Sequence, residues 1–191
     1  MTKLLFLAGS TRKDSLNKKL AKYASIRAAA MGAEVKFIDL ADFEMPIYNG
    51  DYEEANGLPE NAIKLKNLFI EHDGFFIASP EYNSSFPPVL KNALDWISRP
   101  HEDNEESLKA YNNKVAALGA VSPGGLGGIR GLVPLRMMLG NINVTLTPTQ
   151  VCVSDGYNAF NDEGDMIKDD QKGLLEKTVK QFVETAQKLS A

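Results

Sequence analysis

One cysteine, Cys152, stands in the whole chain, so no disulfide can form within it, and that usage is compatible with a reducing compartment. Histidine is almost as scarce. His72 and His101 lie far from Cys152 at no metal-ligand spacing, so no Cys/His zinc site is expected and Cys152 reads as a buried structural thiol. There is no excess of basic residues: 21 Lys and Arg against 25 Asp and Glu give a formal charge of −4. With no basic stripe carrying interleaved aromatics either, a nucleic-acid partner is not expected. No apolar run approaches the length of a membrane span. The first one, Leu4–Ala8, is too short for a secretory apolar core and no small-residue cleavage site follows it, so the expected location is the cytoplasm. Internal repeats, low-complexity segments and linkers are also missing. The 191 residues, 43% of them apolar, are therefore expected to form one domain, 1–191.

What the chain does have is a series of short, continuous apolar runs separated by helical patterns. Leu4–Ala8, Val35–Leu40, Gly74–Ala78, Val115–Val121 and Val144–Val153 read as strands. Continuous rather than alternating burial is what a parallel sheet covered on both faces requires. Between them Leu16–Met31, Glu60–Glu71, Val89–Ile97 and Leu132–Leu139 suit helices, and Gln171–Leu189 closes the chain as a fifth. The alternation predicts an open doubly wound α/β sheet. Two stretches, Phe43–Pro59 and Arg99–Asn113, are irregular and polar, and the acidic run His101–Glu106 in the second reads as solvated surface.

Ligands of such sheets bind beyond the carboxyl ends of the strands, so the loops after strands one, three and four carry the most weight. The first, Gly9–Asn17, passes from a strand into a helix with hydroxyls, a guanidinium and the positive end of a helix dipole at one point. It lacks the Gly-Lys-Ser/Thr of a P-loop and the three glycines of a dinucleotide fingerprint. Asp39, at the end of strand two, then reads as a strand-end cap. A terminal monophosphate suits what remains, with Ser10, Ser15 and Asn17 as hydrogen-bond donors and Arg12 as the charge. A plain helix start fits the same letters, Ser15 capping the helix and Arg12 solvated. The second loop, Ser79–Ser85, offers Pro80 and Tyr82 as rigid or flat surface and Asn83 as a polar contact, a segment able to lie along a planar heterocycle. Tyr82 packed on the following helix is the structural alternative. The third loop, Ser122–Gly131, places Gly124, Gly125, Gly127 and Gly128 within five residues, which allows backbone to approach a ligand closely. A phosphate pocket beside a flat-ring slot suits FMN.

The segments GSTRKDSLN, SPEYNSSFPPVLKNALDW and SPGGLGGIRG resemble, in this order, the NADPH-dependent FMN reductases of flavodoxin-like fold, including their quinone and chromate reductase branch. The resemblance implies a three-layer sandwich around a five-stranded parallel sheet of order 2-1-3-4-5. It implies that Ser10, Arg12, Ser15, Leu16 and Asn17 hold the FMN phosphate, and that Pro80, Glu81, Tyr82 and Asn83 border the isoalloxazine ring. Ser122, Gly124, Gly125, Gly127 and Gly128 would line the other side of the ring and the ribityl chain. The segment Met45–Asp51, with Tyr48, looks like a family loop that reaches toward a neighbouring subunit's flavin site, and Arg99 matches a basic position near the substrate side. The implied activity is non-covalent FMN taking hydride at N5 from NADPH or NADH and passing electrons to quinone-like or other small acceptors in a ping-pong cycle, with no catalytic side chain. Homodimers or homotetramers are implied too; Trp96, Met137 and Met138 fit either an interface or the core. A flavodoxin-type electron carrier shares the fold, but its phosphate turn normally lacks an arginine and its surface is usually more acidic. A hydrolase on this fold finds no partner for Ser10. Pro123 and the acidic run after Arg99 depart from the family pattern.

Overall fold

A computed structural model describes residues 1–190. The strands are β1 (Lys3–Ala8), β2 (Glu34–Ile38), β3 (Gly74–Ala78), β4 (Val115–Val121) and β5 (Thr145–Val153), all parallel, in the order β2-β1-β3-β4-β5. This is the open doubly wound sheet that the alternating pattern predicted, in the flavodoxin-like order that the resemblance implied. The central strands owe their continuous apolar letters to burial on both faces. Leu4, Phe6 and Ala8 of β1 enter one core, and Leu5 and Leu7 enter the other. The edge strands β2 and β5 are buried only at intervals along their length.

The first core is closed by α1 (Leu16–Ala30) and α6 (Asp169–Leu189), through Leu20, Ala24, Val179 and Phe182. The second is closed by α3 (Glu60–Glu71), α4 (Pro88–Ile97) and α5 (Ile129–Asn141), through Leu65, Phe69, Leu90, Leu94 and Leu132. Among the departures from the sequence expectation, three have a visible physical cause. Leu40 leaves the predicted second strand for a 3-10 turn whose first amides are capped by Asp39, whose carboxylate accepts from the Ala41 N–H at 3.0 Å. The irregular stretch Phe43–Pro59 contains a short helix, α2 (Gly50–Asn56), with no buried residue. The helix predicted over Leu132–Leu139, α5, starts three residues earlier, at Ile129, because Gly128 turns the chain there with φ +87°.

Register brings the three loops together. Ala8 pairs with Ala78, and Ala78 with Gly119. Each ladder then runs one bond further, Gly9 N–H to the Ala78 carbonyl, Ser79 N–H to Gly119, and Ser122 N–H to Val153. The loops after β1, β3 and β4 thus leave the sheet side by side.

Candidate functional site

Two concavities occupy that carboxyl edge. One, of about 210 Å³, is walled by Ser10, Arg12, Ser15, Leu16 and Asn17 on one side, and by Pro80, Glu81, Tyr82 and Ser122 on the other. The second, of about 410 Å³, is formed by Gly124, Gly125, Leu126, Gly128 and Arg130, and shares Glu81 and Ser122 with the first. Most residues singled out from the sequence therefore meet at one place. Asn83, Gly127, Arg99 and Tyr48 line neither concavity.

At the β1–α1 end, the Ser15 hydroxyl caps α1 by accepting from the Lys18 N–H at 3.4 Å, as the helix-start alternative expected. Capping uses a lone pair and leaves the O–H free to donate to an anion. The first-turn amides of Leu16 and Asn17 have no carbonyl in their own helix to bond, and α1 has no acidic residue in its first turn to draw on its positive end. The Ser10 hydroxyl is nearly buried and accepts from the Arg12 N–H at 3.3 Å. Arg12 itself is exposed, with one nitrogen on the Asp14 carbonyl at 2.8 Å, so its guanidinium arches over its own loop.

Asn17 has more to do than the sequence suggested. Its side-chain amide donates to the Val121 carbonyl at 3.0 Å and accepts from the Val121 N–H at 2.9 Å, so most of its capacity braces α1 against the end of β4. Leu16 packs against Gly156, where a Cβ would come within 2.9 Å of its methyl.

On the β3 side, Tyr82 and Ser85 exchange two backbone hydrogen bonds around Asn83 and Ser84, which have φ +51° and +66°. Two left-handed residues in a two-residue turn are the hairpin geometry that asparagine tolerates well. Asn83 thus shapes the turn. Tyr82 is 54% exposed at the cavity rather than packed on α4. A second exposed ring, Tyr157 at 74%, stands in the same wall. It follows β5, the one strand end that the sequence reading did not weigh.

The four glycines of the third loop separate into two kinds. A Cβ on Gly125 would meet nothing within 4 Å, whereas one on Gly127 (φ +60°) would lie 2.8 Å from the Cys152 carbonyl carbon and 2.9 Å from the Val153 nitrogen. Gly124 and Gly125 therefore present open backbone, and Gly127 is a packing position against β5. Cys152, behind it, is pushed up to about 11 by burial and by the charge of Glu81, so it stays a thiol at neutral pH.

Tyr48 and Arg99 form their own cluster. The Tyr48 hydroxyl donates to Glu53 at 2.9 Å, the Arg99 Nε donates to the same carboxylate at 2.9 Å, and the guanidinium lies 5.8 Å from the Tyr48 ring centroid. Burial pushes the Glu53 carboxyl up, but the hydrogen bonds from Arg99 and Tyr48 outweigh it and hold it below its ordinary value. The loop before it is stitched to α4, with the Trp96 Nε1–H donating to the Pro46 carbonyl at 2.8 Å. Trp96 is fully buried and so belongs to the core, while Met137 is exposed and Met138 packs at the core's margin.

A further cavity, of about 300 Å³, lies beyond Thr11 between Leu40–Met45 and α4. Its Asn92 amide is engaged with Pro46 and Tyr48, and it holds no cationic side chain for an anion.

The sequence profile of the NADPH-dependent FMN reductases matches residues 2–158. The chain belongs to that family. It is accordingly a flavoprotein oxidoreductase that uses FMN and a nicotinamide dinucleotide. It is similar to a 2-hydroxy-1,4-benzoquinone reductase of a Burkholderia species, 30% identical over 91% of this chain and 90% of the relative. An NADPH azoreductase of a Bacillus species is 33% identical over 94% and 90%. Among solved structures, the flavoenzyme NAD(P)H:(acceptor) oxidoreductase of Paracoccus denitrificans superposes with a TM-score of 0.82 at 29% identity, covering 98% of both chains. The residues present fit a flavin mononucleotide: free hydroxyl and helix-end donors face two exposed tyrosines across the first concavity, and open glycine backbone lines the second. Among the described residues no helix is long and apolar enough to cross a membrane, and no cluster of metal-ligating side chains occurs.

Proposed function

We propose that the protein oxidises NAD(P)H and reduces small quinone-like or azo acceptors, with FMN held across the two concavities. The observation that carries this reading is their shared wall: an anion-binding helix start and an open glycine-lined slot meet at Glu81 and Ser122. The chemistry that FMN supplies when bound is two-electron transfer in a ping-pong cycle, hydride from NAD(P)H to flavin N5 and then both electrons to the acceptor.

The chain's own residues bind and orient. Ser10, Ser15 and the first turn of α1 hold the phosphate, and Arg12 swings from the Asp14 carbonyl to neutralise it. Pro80 and Tyr82 flank one edge of the ring, with Tyr157 beside them in the same wall, and Gly124 and Gly125 let backbone approach the other edge. Hydride transfer asks for no general acid or base from these side chains. Residues 1–191 act as a single FMN-binding unit in the cytoplasm. The quinone and azo acceptors named for the relatives are the classes to test first. Two or four copies assemble so that the exposed loop around Tyr48 and Ile47, with Arg99, approaches a neighbouring copy's slot.

A fluorescence titration with FMN tests the cofactor assignment. The wild-type protein should bind stoichiometrically. Arg12→Ala, which removes only an exposed side chain, should weaken binding by about tenfold to a hundredfold, as a lost charge-assisted contact does, without changing the melting temperature. Unchanged affinity would remove Arg12 from the phosphate site.

A further inference from the structure

Glu81 stands in both concavities, and its bonding points to a role distinct from contact with the flavin. Its side chain is only 9% exposed, yet the carboxylate is engaged on both oxygens by one residue. Arg130 brings Nε at 2.7 Å and Nη2 at 2.6 Å to Oε1, and its main-chain N–H at 3.2 Å to Oε2. Arg130 is in the first turn of α5, directly after the glycine loop, and its own side chain is 59% exposed. The two backbones also touch. A Cβ on Gly131 would come within 3.2 Å of the Glu81 Cα and 3.1 Å of the Ser85 carbonyl, so glycine there admits the β3–α4 turn against α5.

We infer that Glu81 is a positioning residue: clamped by Arg130, it fixes the spacing between the Pro80–Ser85 turn and the Gly124–Gly128 loop, and hence the slot in which flavin ring and second substrate meet. The inference rests on the proposed FMN site for its catalytic consequence, but the clamp itself is a property of the chain. Arg130 lines only the second concavity, and Glu81 belongs to the β3 side of the first rather than to the β1–α1 loop that offers the anion donors. Loss of the clamp therefore disturbs the alignment of reacting atoms far more than retention of the cofactor, and misplacement of about 1 Å is enough to cost about a hundredfold in rate.

The test compares Glu81→Gln, Arg130→Ala and the double variant with wild type. At saturating FMN, each single variant should lose about tenfold to a hundredfold in kcat with NADPH and benzoquinone. FMN affinity should fall no more than about threefold, and the double variant should be no worse than the worse single one, as for two halves of one device. Arg130→Lys keeps the charge but not the paired Nε and Nη2 contacts, and should remain impaired; it also serves if Glu81→Gln proves unstable. Amide hydrogen exchange on the FMN-free protein supplies a readout that needs no cofactor. Residues 80–85 and 124–130 should exchange faster together in each variant. Unaltered exchange in both segments, or full kcat in Arg130→Ala, would overturn the clamp. A wild-type protein that fails to bind FMN would overturn the functional proposal, and the exchange result would still decide whether the clamp exists.

Discussion

Lys66→Met should lower stability by about 3–5 kcal/mol, a fall in melting temperature on the order of 10 °C for a domain of this size. Lys66 projects from α3 into a closed space where its ammonium pairs with Glu105 and bonds the Arg99 carbonyl at 2.5 Å; both charged side chains are 1% exposed. Removing Lys66 leaves the Glu105 carboxylate buried without its ammonium partner, with only the His101 main chain and ring beside it. Lys66→Met with Glu105→Leu should recover most of the loss, since a well-packed apolar pair does about as well as a buried ion pair. Thermal unfolding of the three variants decides it. A single variant melting within a degree or two of wild type would show that the pair is open to water.

The same pair gives a pH dependence. Burial pushes the Glu105 carboxyl up, but the hydrogen bond from Lys66, that from the His101 main chain and the nearby charges outweigh it, so it titrates below its ordinary value. A carboxyl depressed on folding contributes stability above its unfolded pKa of about 4.3, and that contribution is lost as pH falls through the lower, folded value. Glu105→Gln should abolish this acid step while lowering stability at neutral pH.

Gly127→Ala should be the most damaging change in the glycine loop. The left-handed backbone costs a side chain about 1–2 kcal/mol, and forcing a Cβ against the immovable backbone of Cys152 and Val153 adds about 1–3 kcal/mol. The loop would have to lift from β5, carrying Gly124 and Gly125 with it, so FMN affinity should fall along with the melting temperature. Gly125→Ala is the matched control. Its Cβ would enter open space, so stability should change by less than about 0.5 kcal/mol, and any weakening of FMN binding then reports direct contact with the cofactor. Equal melting temperatures for the two variants would refute the division of the loop into packing and open glycines.

The sheet and the loops that meet at its carboxyl edge were legible because they depend on local letters. β1, β3 and β4 are buried on both faces and therefore apolar without interruption, and Gly/Ser/Pro-rich loops mark their carboxyl ends. What escaped was set by partners distant in sequence. Asn17 lines the first concavity, but its bonding to Val121, 104 residues away, left no mark in the local sequence. Glu105 sits in a run of acids that reads as solvated surface, and only the return of the chain to Lys66 buries it. Arg130 is one more residue after the glycines until it reaches Glu81. Helix α2 has no buried residue and so leaves no apolar period; its signals were the Asn49 cap and Gly57 at φ +71°. The four glycines are identical as letters, and only φ and the neighbouring backbone tell Gly127 from Gly125.

On the proposed reading, this chain transfers electrons from a nicotinamide dinucleotide through FMN held at the β1, β3 and β4 loop ends. Anaerobic rapid mixing of the FMN-loaded protein with NADPH, followed at the flavin's visible absorbance, tests it most directly. The absorbance should bleach in a single enzyme-limited phase without any partner protein, and return when benzoquinone is added. Bound FMN that stays oxidised under NADPH would make the protein an electron carrier on the same fold and contradict the account.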